Sequence, residues 1–376
     1  MRVLVVTTWF PSSSEPVQAP FNLEHVKAIS RKHDVRVIHV VLGGTGDPVT
    51  ETYEGVRVRR VPFRPTSPLS MFRAWSAIRG ALRQADVLHT MAFSSVLVVA
   101  PVQVLSFAAP PWVHSEHWSG VTNPESVPGR WKSFAWLRHA LRLPDRLTSV
   151  TSQLAEVLAT FGRPGSVSVV PCVVENDRPI VQPSFGDPLE LVAVAGLIEG
   201  KRPLMAVRTL EWLRAKGHDV RLTWIGGGVL AEETYDLAAE LGVADSLVLA
   251  GRVAPRDVFA RLEQADLFFL PTAQENFLTA AAESLSAGRG VVVPGHGGYL
   301  DYVDEANGVL VDGNSPEAYG SAILRAVEKF RGLDARRLAD PIRSRFSRDA
   351  VGDAFDSLYT ALCADRAGTA GAERRG

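Results

Sequence analysis

The sequence alternates, twice over, between short aliphatic, β-branched runs and longer amphipathic stretches, and this alternation limits the possible folds more than any other feature. In the first half the short runs are VLVV, VRVIHV, VRVRRV, DVLHT, PWVHS, LTSV and SVSVV; in the second they are LELVAVA, VRLTWIG, SLVLAG, ADLFFLP and GVVVP. Strands this apolar, each followed by enough residues for a helix, form parallel sheets covered on both faces. Between the two sets lies PCVVENDRPIVQPSFGDP, with four prolines and no sustained period, which reads as a linker. The expected class is α/β, with two doubly wound, Rossmann-like domains. The first spans 1–175, the linker 176–188 and the second 189–345. Length agrees, because 376 residues exceed the roughly 250–300 at which one core stops growing. A last amphipathic run over 346–364 is expected to return to the first domain as a helix, and 365–376 to form a flexible tail. Ligands of open α/β sheets sit beyond the carboxyl ends of the strands, so the two sheets are expected to face each other across a cleft that holds the site.

Charge and cysteine content exclude several classes. A formal net charge of −1 gives no field for a phosphate backbone, so no nucleic-acid partner is expected. Split at residue 180, the halves differ: 19 Lys/Arg against 13 Asp/Glu, then 21 against 28. A basic first half suits an anionic acceptor or a membrane surface, and equally two domains with differently solvated faces. Cys172 and Cys363 form no CxxC pair, so neither a disulfide framework nor a cysteine zinc site is expected. The opening MRVLVVTTWFP reads as a first strand, too short in apolar residues for a signal peptide. The stretch from Val96 to Ala109 is interrupted by Pro101, Gln103 and Ser106, short of the roughly 18 apolar residues that span a bilayer. The expected location is cytoplasmic, with peripheral attachment at the inner membrane face as the alternative.

Chemistry concentrates in PTAQENFLTAAAESLSAGRGVVVPGHGG, residues 271–298. Glu275 and Glu283 bracket a helix start, and their eight-residue spacing corresponds to about 12 Å along a helix. That exceeds the roughly 5–9.5 Å between the carboxyl pairs of glycoside hydrolases. It suits two hydroxyl-rich groups separated by a diphosphate that rests on the amides around Phe277 to Thr279, the layout of a sugar nucleotide. The plainer alternative is one Glu placed for the helix dipole and one on a solvated face. His114, Glu116 and His117 suggest zinc only at first sight. On a strand His114 and Glu116 face one way and Ser115 and His117 the other, so no shared metal is expected. The segment GLIEGKR fails as a P-loop, since Gly196 and Gly200 are separated by three residues and Arg202 replaces the Ser/Thr that would hold magnesium. Gly226, Gly227 and Gly228 fit a tight strand-to-helix turn or a close approach to phosphate. Two basic, aromatic stretches, SMFRAWSAIRGALR and GRWKSFAWLRHALR, fit either sheet-covering helices or an interfacial patch built on Arg138, Arg142 and Arg146 with Trp131, Phe134 and Trp136.

On these residues the 271–298 segment resembles the donor-site signature of the family-four retaining glycosyltransferases of the GT-B fold. ADVLHT, WVHSEH, SVVPCVV, ADLFFLP and VAVAGLIEGKRPLMAV extend the resemblance over most of the chain. It implies that Glu275 contacts the donor sugar, that Glu283 binds the ribose hydroxyls, and that the backbone of Asn276, Phe277, Leu278 and Thr279 holds the diphosphate and sugar. Lys201 matches one half of the family's phosphate clamp. Gly196 stands at its arginine position, with Arg202 as the substitute. His117 is implied to lie against donor sugar and acceptor, and Arg252 and Val253 at the nucleotide base. Glu275, His117, Lys201 and Arg202 are the catalytic candidates. Glu283, residues 276–279, Gly196, Arg252 and Val253 are the donor-binding ones. The loop TTWFPSSSEPVQAPFNLEH corresponds to the family's loop near the diphosphate and acceptor, with Glu15 and Phe21 as acceptor-binding candidates. The family's glycine in that loop is best matched by Ala19-Pro20. Leu278 stands where the family has glycine, and Gly290 where it has proline.

The resemblance implies a retaining, metal-independent hexosyltransferase that moves a sugar from a nucleotide-diphosphate donor, expected to be UDP-linked, to an acceptor hydroxyl. It implies no nucleophile and no cofactor besides the nucleotide sugar as co-substrate. The leaving phosphate takes the acceptor proton. A soluble amino-sugar or aminocyclitol of antibiotic-type secondary metabolism is the favoured acceptor. A cell-envelope lipid or polysaccharide at the membrane is the alternative. Gly196 and Leu278 motivate a reading of another class, a non-catalytic sugar-nucleotide-binding partner. Oligomeric state is left open.

Overall fold

The computed structural model describes residues 1–16, 18–106, 109–122 and 131–373. The chain divides into two compact units, Met1–Val173 with Arg348–Gly376, and Val174–Ser347.

The first unit carries eight strands: β1 (Arg2–Thr7), β2 (Asp34–Leu42), β3 (Val49–Tyr53), β4 (Val56–Phe63), β5 (Val87–Met91), β6 (Trp112–Glu116), β7 (Arg146–Ser149) and β8 (Val167–Val169). Their order is β3-β4-β2-β1-β5-β6-β7-β8, parallel throughout except for the β3–β4 hairpin. The central strands β5 and β6 are buried at every residue, as strands covered on both faces must be. The alternation reading passes over β3, because VTETY is polar and lies at the sheet edge. Its connection to β4 turns through Glu54 and Gly55, both at positive φ (45° and 83°), the conformation that suits a two-residue hairpin. Chain order reverses between β1 and β5, so the crevice beyond their carboxyl ends is this unit's natural ligand site.

Helix Arg348–Glu373 packs on helix Pro20–Ser30, placing Val351, Phe355, Tyr359 and Leu362 in one core with Leu23, Val26 and Ile29. Gly352 lets the two backbones approach: a Cβ there would lie 2.7 Å from the Ala28 carbonyl oxygen. Arg348 pairs with Glu24 at 2.7 Å and Lys32 with Asp353 at 2.6 Å along the same seam. The helix runs on to Glu373, past Ala364, where the pattern ends it and a flexible tail is expected. The alanine-rich composition of that stretch favours helix despite its glycines.

The second unit carries β9 (Leu189–Val194), β10 (Val220–Ile225), β11 (Leu247–Gly251), β12 (Leu267–Phe269), β13 (Gly290–Pro294) and β14 (Gly308–Val311). All are parallel, in the order β11-β10-β9-β12-β13-β14, the doubly wound order with its switch point between β9 and β12. The short β14 is absent from the sequence reading. Residues 171–188 form neither helix nor strand. This segment is tied down by Arg289, fully buried, which donates to the carbonyls of Val181 (2.5 Å), Ala287 (2.9 Å) and Glu263 (2.6 Å).

The basic, aromatic stretch over 131–146 is not one long helix. A turn of α-helix at Trp131–Phe134 passes into a 3-10 helix at Ala135–Arg142, and Arg146 opens β7. The four-residue arginine recurrence therefore does not make a stripe. Arg138 donates to the Val121 carbonyl at 2.9 Å and lies over the Phe161 ring, and Arg146 pairs with Asp365. Trp136 does not cover the sheet, since 65% of it is exposed. No described helix is long and apolar enough to cross a membrane.

Candidate functional site

In the second unit the two loops that leave the switch-point strands meet. The loop after β12 folds onto the segment after β9 through the Ala273 amide and the Thr272 hydroxyl, both donating to the Gly200 carbonyl (2.8 and 3.1 Å). This brings the Lys201 ammonium into an ion pair with the Glu275 carboxylate, which also accepts from Thr272 Oγ1 at 3.1 Å. Arg202 turns elsewhere and donates to Asn314 Oδ1 at 2.8 Å. The structure therefore joins Lys201 to Glu275 and separates Arg202 from both. Arg202 caps helix Pro203–Ala215 at φ 51°, a left-handed conformation that costs a non-glycine residue about 1–2 kcal/mol.

Helix Thr279–Ser286 starts four residues after Glu275. Half of the Glu275–Glu283 spacing is thus irregular backbone, and a separation calculated as helical rise does not apply. The amides of Phe277, Leu278, Thr279 and Ala280 take no hydrogen bond among the described residues. They are the unpaired donors of a helix N-terminus, where partial positive charge collects. Leu278 caps the helix at φ 52° and ψ 64°. Two contacts offset the strain. Tyr302 Oη lies 2.7 and 2.8 Å from the Phe277 and Leu278 carbonyl oxygens, to which it donates. Phe277, Tyr302 and Phe346 pack as an aromatic triangle with centroids 5.1–5.3 Å apart.

Glu283 lies one turn into this helix. Its carboxyl makes no hydrogen bond among the described residues, and burial pushes its pKa up to about 7. A half-buried carboxyl without a donor gains from a ligand that supplies one. Farther along the carboxyl edge, the Gly226 amide donates to the Gly251 carbonyl at 2.8 Å, which sets Arg252 beside Gly227. Gly196 lies near the Gly227 carbonyl oxygen, which a Cβ on Gly196 would meet at 3.6 Å. Val253 is half-buried next to Arg252.

In the first unit His117 follows β6. Glu116 fixes it by accepting the amides of both His117 and Trp118 at 2.9 Å, while its other oxygen meets buried His114 at 3.2 Å. His114 and Glu116 thus share a face, and no group of three potential metal ligands occurs among the described residues. The His117 ring packs, tilted, against Phe21 (4.5 Å between centroids) and His25 (5.0 Å). Burial holds His117 well below the usual histidine range, and the neighbouring histidines add to this, so the ring is neutral at pH 7. His25 is likewise held down to about 4 by burial, with Nε2 donating to the Pro171 carbonyl at 2.9 Å. Glu15 is exposed in the loop after β1, where its amide donates to the Ser12 carbonyl at 3.2 Å. Ala19, at the end of that loop, caps helix Pro20–Ser30 at φ 48°.

Sequence profiles for known families match both units. That of the group 1 glycosyl transferases covers residues 175–338, and that of glycosyltransferase family 4 covers 21–178. The chain belongs to the family-four glycosyltransferases. It has the GT-B fold, shown by its likeness to sucrose-phosphate synthase from Thermosynechococcus elongatus, with a TM-score of 0.76 over 97% of this chain and all of that one at 17% identity. Anabaena HepE in complex with UDP-glucose aligns with a TM-score of 0.74 at 15% identity, over 96% of this chain and all of that one. Among relatives, D-inositol 3-phosphate glycosyltransferase of Xylanimonas cellulosilytica is 28% identical over 90% of this chain and 89% of its own. The GDP-mannose-dependent alpha-(1-6)-phosphatidylinositol monomannoside mannosyltransferase of Mycolicibacterium smegmatis is 27% identical over 51% of this chain and 56% of its own.

In this glycosyltransferase the departures from the family pattern acquire a physical meaning. Leu278 and Ala19, the residues that the resemblance matches to glycine positions, both adopt the left-handed backbone that glycine adopts without strain. Gly196 is not required by packing, since a Cβ there would meet its nearest atom, the Gly227 oxygen, at 3.6 Å. The sequence reading missed His25, Tyr302, Asn314 and Arg289. His25 lies on the buried face of an amphipathic helix, a position at which a lone histidine could have been noticed. Nothing in the sequence marks the other three.

Proposed function

We propose that this glycosyltransferase transfers a hexosyl group, with retention, from a nucleotide-diphosphate sugar to an acceptor hydroxyl, without a resident metal or a further cofactor. The observation that carries the reading is the run of unpaired amides at Phe277 to Ala280. They stand beside the Lys201–Glu275 pair, with the donor-free carboxyl of Glu283 one turn along. This order of groups complements phosphate, sugar and ribose. The diphosphate would rest on the amides with Lys201 meeting its charge, the ribose hydroxyls would donate to Glu283, and Glu275 would hold the sugar. As the sugar C1–O bond to the phosphate breaks, the acceptor oxygen bonds C1 on the same face and its proton passes to the leaving phosphate oxygen. The amides and Lys201 stabilise the charge that develops there. Arg202 enters as a positioning residue, since it is held by Asn314.

A UDP-linked donor is favoured, HepE having been solved with UDP-glucose. For the acceptor we infer a soluble polyol of the cyclitol or amino-sugar kind, handled in the cytoplasm. The inositol 3-phosphate glycosyltransferase that aligns over most of both chains supports this. The second reading, a lipid acceptor at the membrane, draws on exposed Phe72 (68%) and Trp136 (65%) and on the partial match to a phosphatidylinositol mannoside enzyme. Thermal shift with a panel of nucleotide sugars tests the donor. A ligand at 100 times its Kd adds about 2.7 kcal/mol, equivalent to a rise of roughly 5–10 °C in a unit of this size. Sugar transfer to soluble polyols against transfer to lipid in vesicles separates the acceptors. Stabilisation by a nucleotide sugar without transfer or release of free sugar would support the non-catalytic partner. No stabilisation and no turnover with any nucleotide sugar would refute the proposal.

A further inference from the structure

The loop that leaves β1 in the first unit ends in an exposed tip that the rest of the chain barely holds. Among the described residues, 12–16 and 18 make hydrogen bonds only within the loop, such as those from the Glu15 amide to the Ser12 carbonyl and from the Gln18 amide to the Glu15 carbonyl, both 3.2 Å. A tip without outside hydrogen bonds takes its position from its two ends. One end is Ala19, at the start of helix Pro20–Ser30. The other is buried Pro11, whose carbonyl accepts from Arg60 Nη2 at 2.7 Å and from no other described group.

The sheet places Arg60 for this contact. It sits in β4 beside His39 of β2, on one face. Its side chain is 14% exposed and is engaged on every edge: Nε donates to Glu51 Oε1 of the edge strand β3 at 2.6 Å, Nη1 to His39 Nδ1, and Nη2 to Pro11. His39 extends the hold. Burial and the Arg60 charge keep its pKa down to about 4, so the ring is neutral. With Nδ1 accepting from Arg60, the proton is on Nε2, which donates to the Thr8 carbonyl at 3.3 Å. Thr8 and Pro11 are thus both fixed, and Phe10 between them is buried near the His39 ring, 6.4 Å between centroids.

An ion pair with Glu51 would by itself be ordinary framework. Here Glu51 meets one edge of the guanidinium, and the other donors go to two uncharged acceptors that lead into the loop. That loop stands beyond the carboxyl end of β1, where strand order reverses between β1 and β5 and where open α/β sheets bind ligands. The groups assigned to the donor all lie in the second unit, which leaves this crevice to the acceptor.

We propose that Arg60 is a positioning residue for the acceptor: through Pro11, and through His39 on Thr8, it sets the loop after β1 without touching the substrate. The proposal rests on the transferase reading above.

Three variants of the whole chain test it. Arg60→Lys keeps a charge beside Glu51, but one ammonium cannot serve Glu51, His39 and Pro11 together. Arg60→Met removes all three contacts, and Glu51→Gln removes the ion pair while leaving Pro11 and His39 their donor. Hydrogen exchange needs no substrate. The amides of residues 8–16 should exchange about 10- to 100-fold faster in both Arg60 variants, the range for a lost charge-assisted contact, and at the wild-type rate in Glu51→Gln. Initial rates are read with the fastest wild-type pair from UDP- and GDP-sugars against inositol, inositol 3-phosphate and glucosamine. Both Arg60 variants should raise the acceptor KM by about 10-fold or more, while the nucleotide-sugar KM and the release of sugar to water stay within about 3-fold. Glu51→Gln should keep the acceptor KM even where it melts lower. Should Arg60→Met fail to fold, Arg60→Lys carries the test. Unchanged loop exchange in the Arg60 variants would overturn the proposal whatever the activity. An unchanged acceptor KM would do the same, as would a rise equally large in Glu51→Gln, the mark of a plain packing role. A wild type that transfers from no donor to any acceptor would refute the transferase reading and the acceptor role with it, and the exchange rates would still decide whether Arg60 holds the loop.

Discussion

Replacing Glu275 by glutamine should strengthen nucleotide diphosphate binding while nearly abolishing transfer. The Lys201 ammonium is paired with the Glu275 carboxylate, with side-chain exposures of 25% and 13%. Two unit charges about 4 Å apart at an effective dielectric near 20 attract by about 4 kcal/mol. Fully exposed pairs give under about 1 kcal/mol. This pair lies between the two limits, so we assign about 1–2 kcal/mol that an incoming diphosphate must compete against. Glutamine keeps an oxygen for the Thr272 hydroxyl and removes the charge. UDP should then bind about 5- to 30-fold more tightly, since each 1.4 kcal/mol is tenfold. Turnover should fall roughly 100-fold, the scale on which a positioned transition-state contact is lost. Titration calorimetry with UDP and initial rates with a nucleotide sugar measure the two effects separately. UDP affinity that is unchanged or lower in Glu275→Gln would refute the reasoning, because Lys201 would then not be the cation that meets the phosphate.

Three further outcomes follow from the same geometry. Glu283 has a folded pKa near 7 against an ordinary value of 4.5, so its contribution to stability is fully present below about pH 4.5 and is lost as pH rises through 7. In Glu283→Gln this part of the melting-temperature profile between pH 4.5 and 7.5 should flatten, and an unaltered slope would show that another group sets it. Gly228→Ala forces a Cβ to 2.2 Å from the Leu197 oxygen and should cost about 1–3 kcal/mol, roughly 2–12 °C of melting temperature; Gly227→Ala should cost little, and equal melting of the two would contradict the distinction between them. Tyr302→Phe removes the donor to the carbonyls of Phe277 and Leu278 and should destabilise by about 1–3 kcal/mol while weakening UDP binding; weakened melting with normal UDP affinity would show that this hydroxyl does not set the amides at the helix start.

Much of the architecture was legible because its signals are local. Runs such as VLVV and GVVVP can satisfy their backbone and bury both faces only inside a parallel sheet, and each carries that information without reference to the rest of the chain. The proline-rich break at 171–188 is equally local. Polar β3 and the four-residue β14 escaped because an edge strand needs little apolar surface and a short strand too few residues to show a period. The arginine recurrence at 138, 142 and 146 misled for the reverse reason. A four-residue spacing specifies a helical stripe only while the helix continues, and here a 3-10 segment and the start of β7 interrupt it.

By itself, then, the sequence determined the two α/β sheets, their family, and the segments from which the candidate site is drawn, because strand burial and motif spacing are properties of neighbouring residues. Only the tertiary structure decided which of those residues meet. Lys201 and Glu275 are 74 residues apart, and they pair because β9 and β12 are neighbours at the point where strand order reverses. The left-handed backbone at Ala19 and Leu278 is invisible in their side chains, which disfavour it. It persists because surrounding contacts, such as Tyr302 on the Leu278 carbonyl, outweigh its cost. The partial burial of Glu283 and the neutrality of His117 likewise depend on what packs around each group, which long-range folding alone supplies.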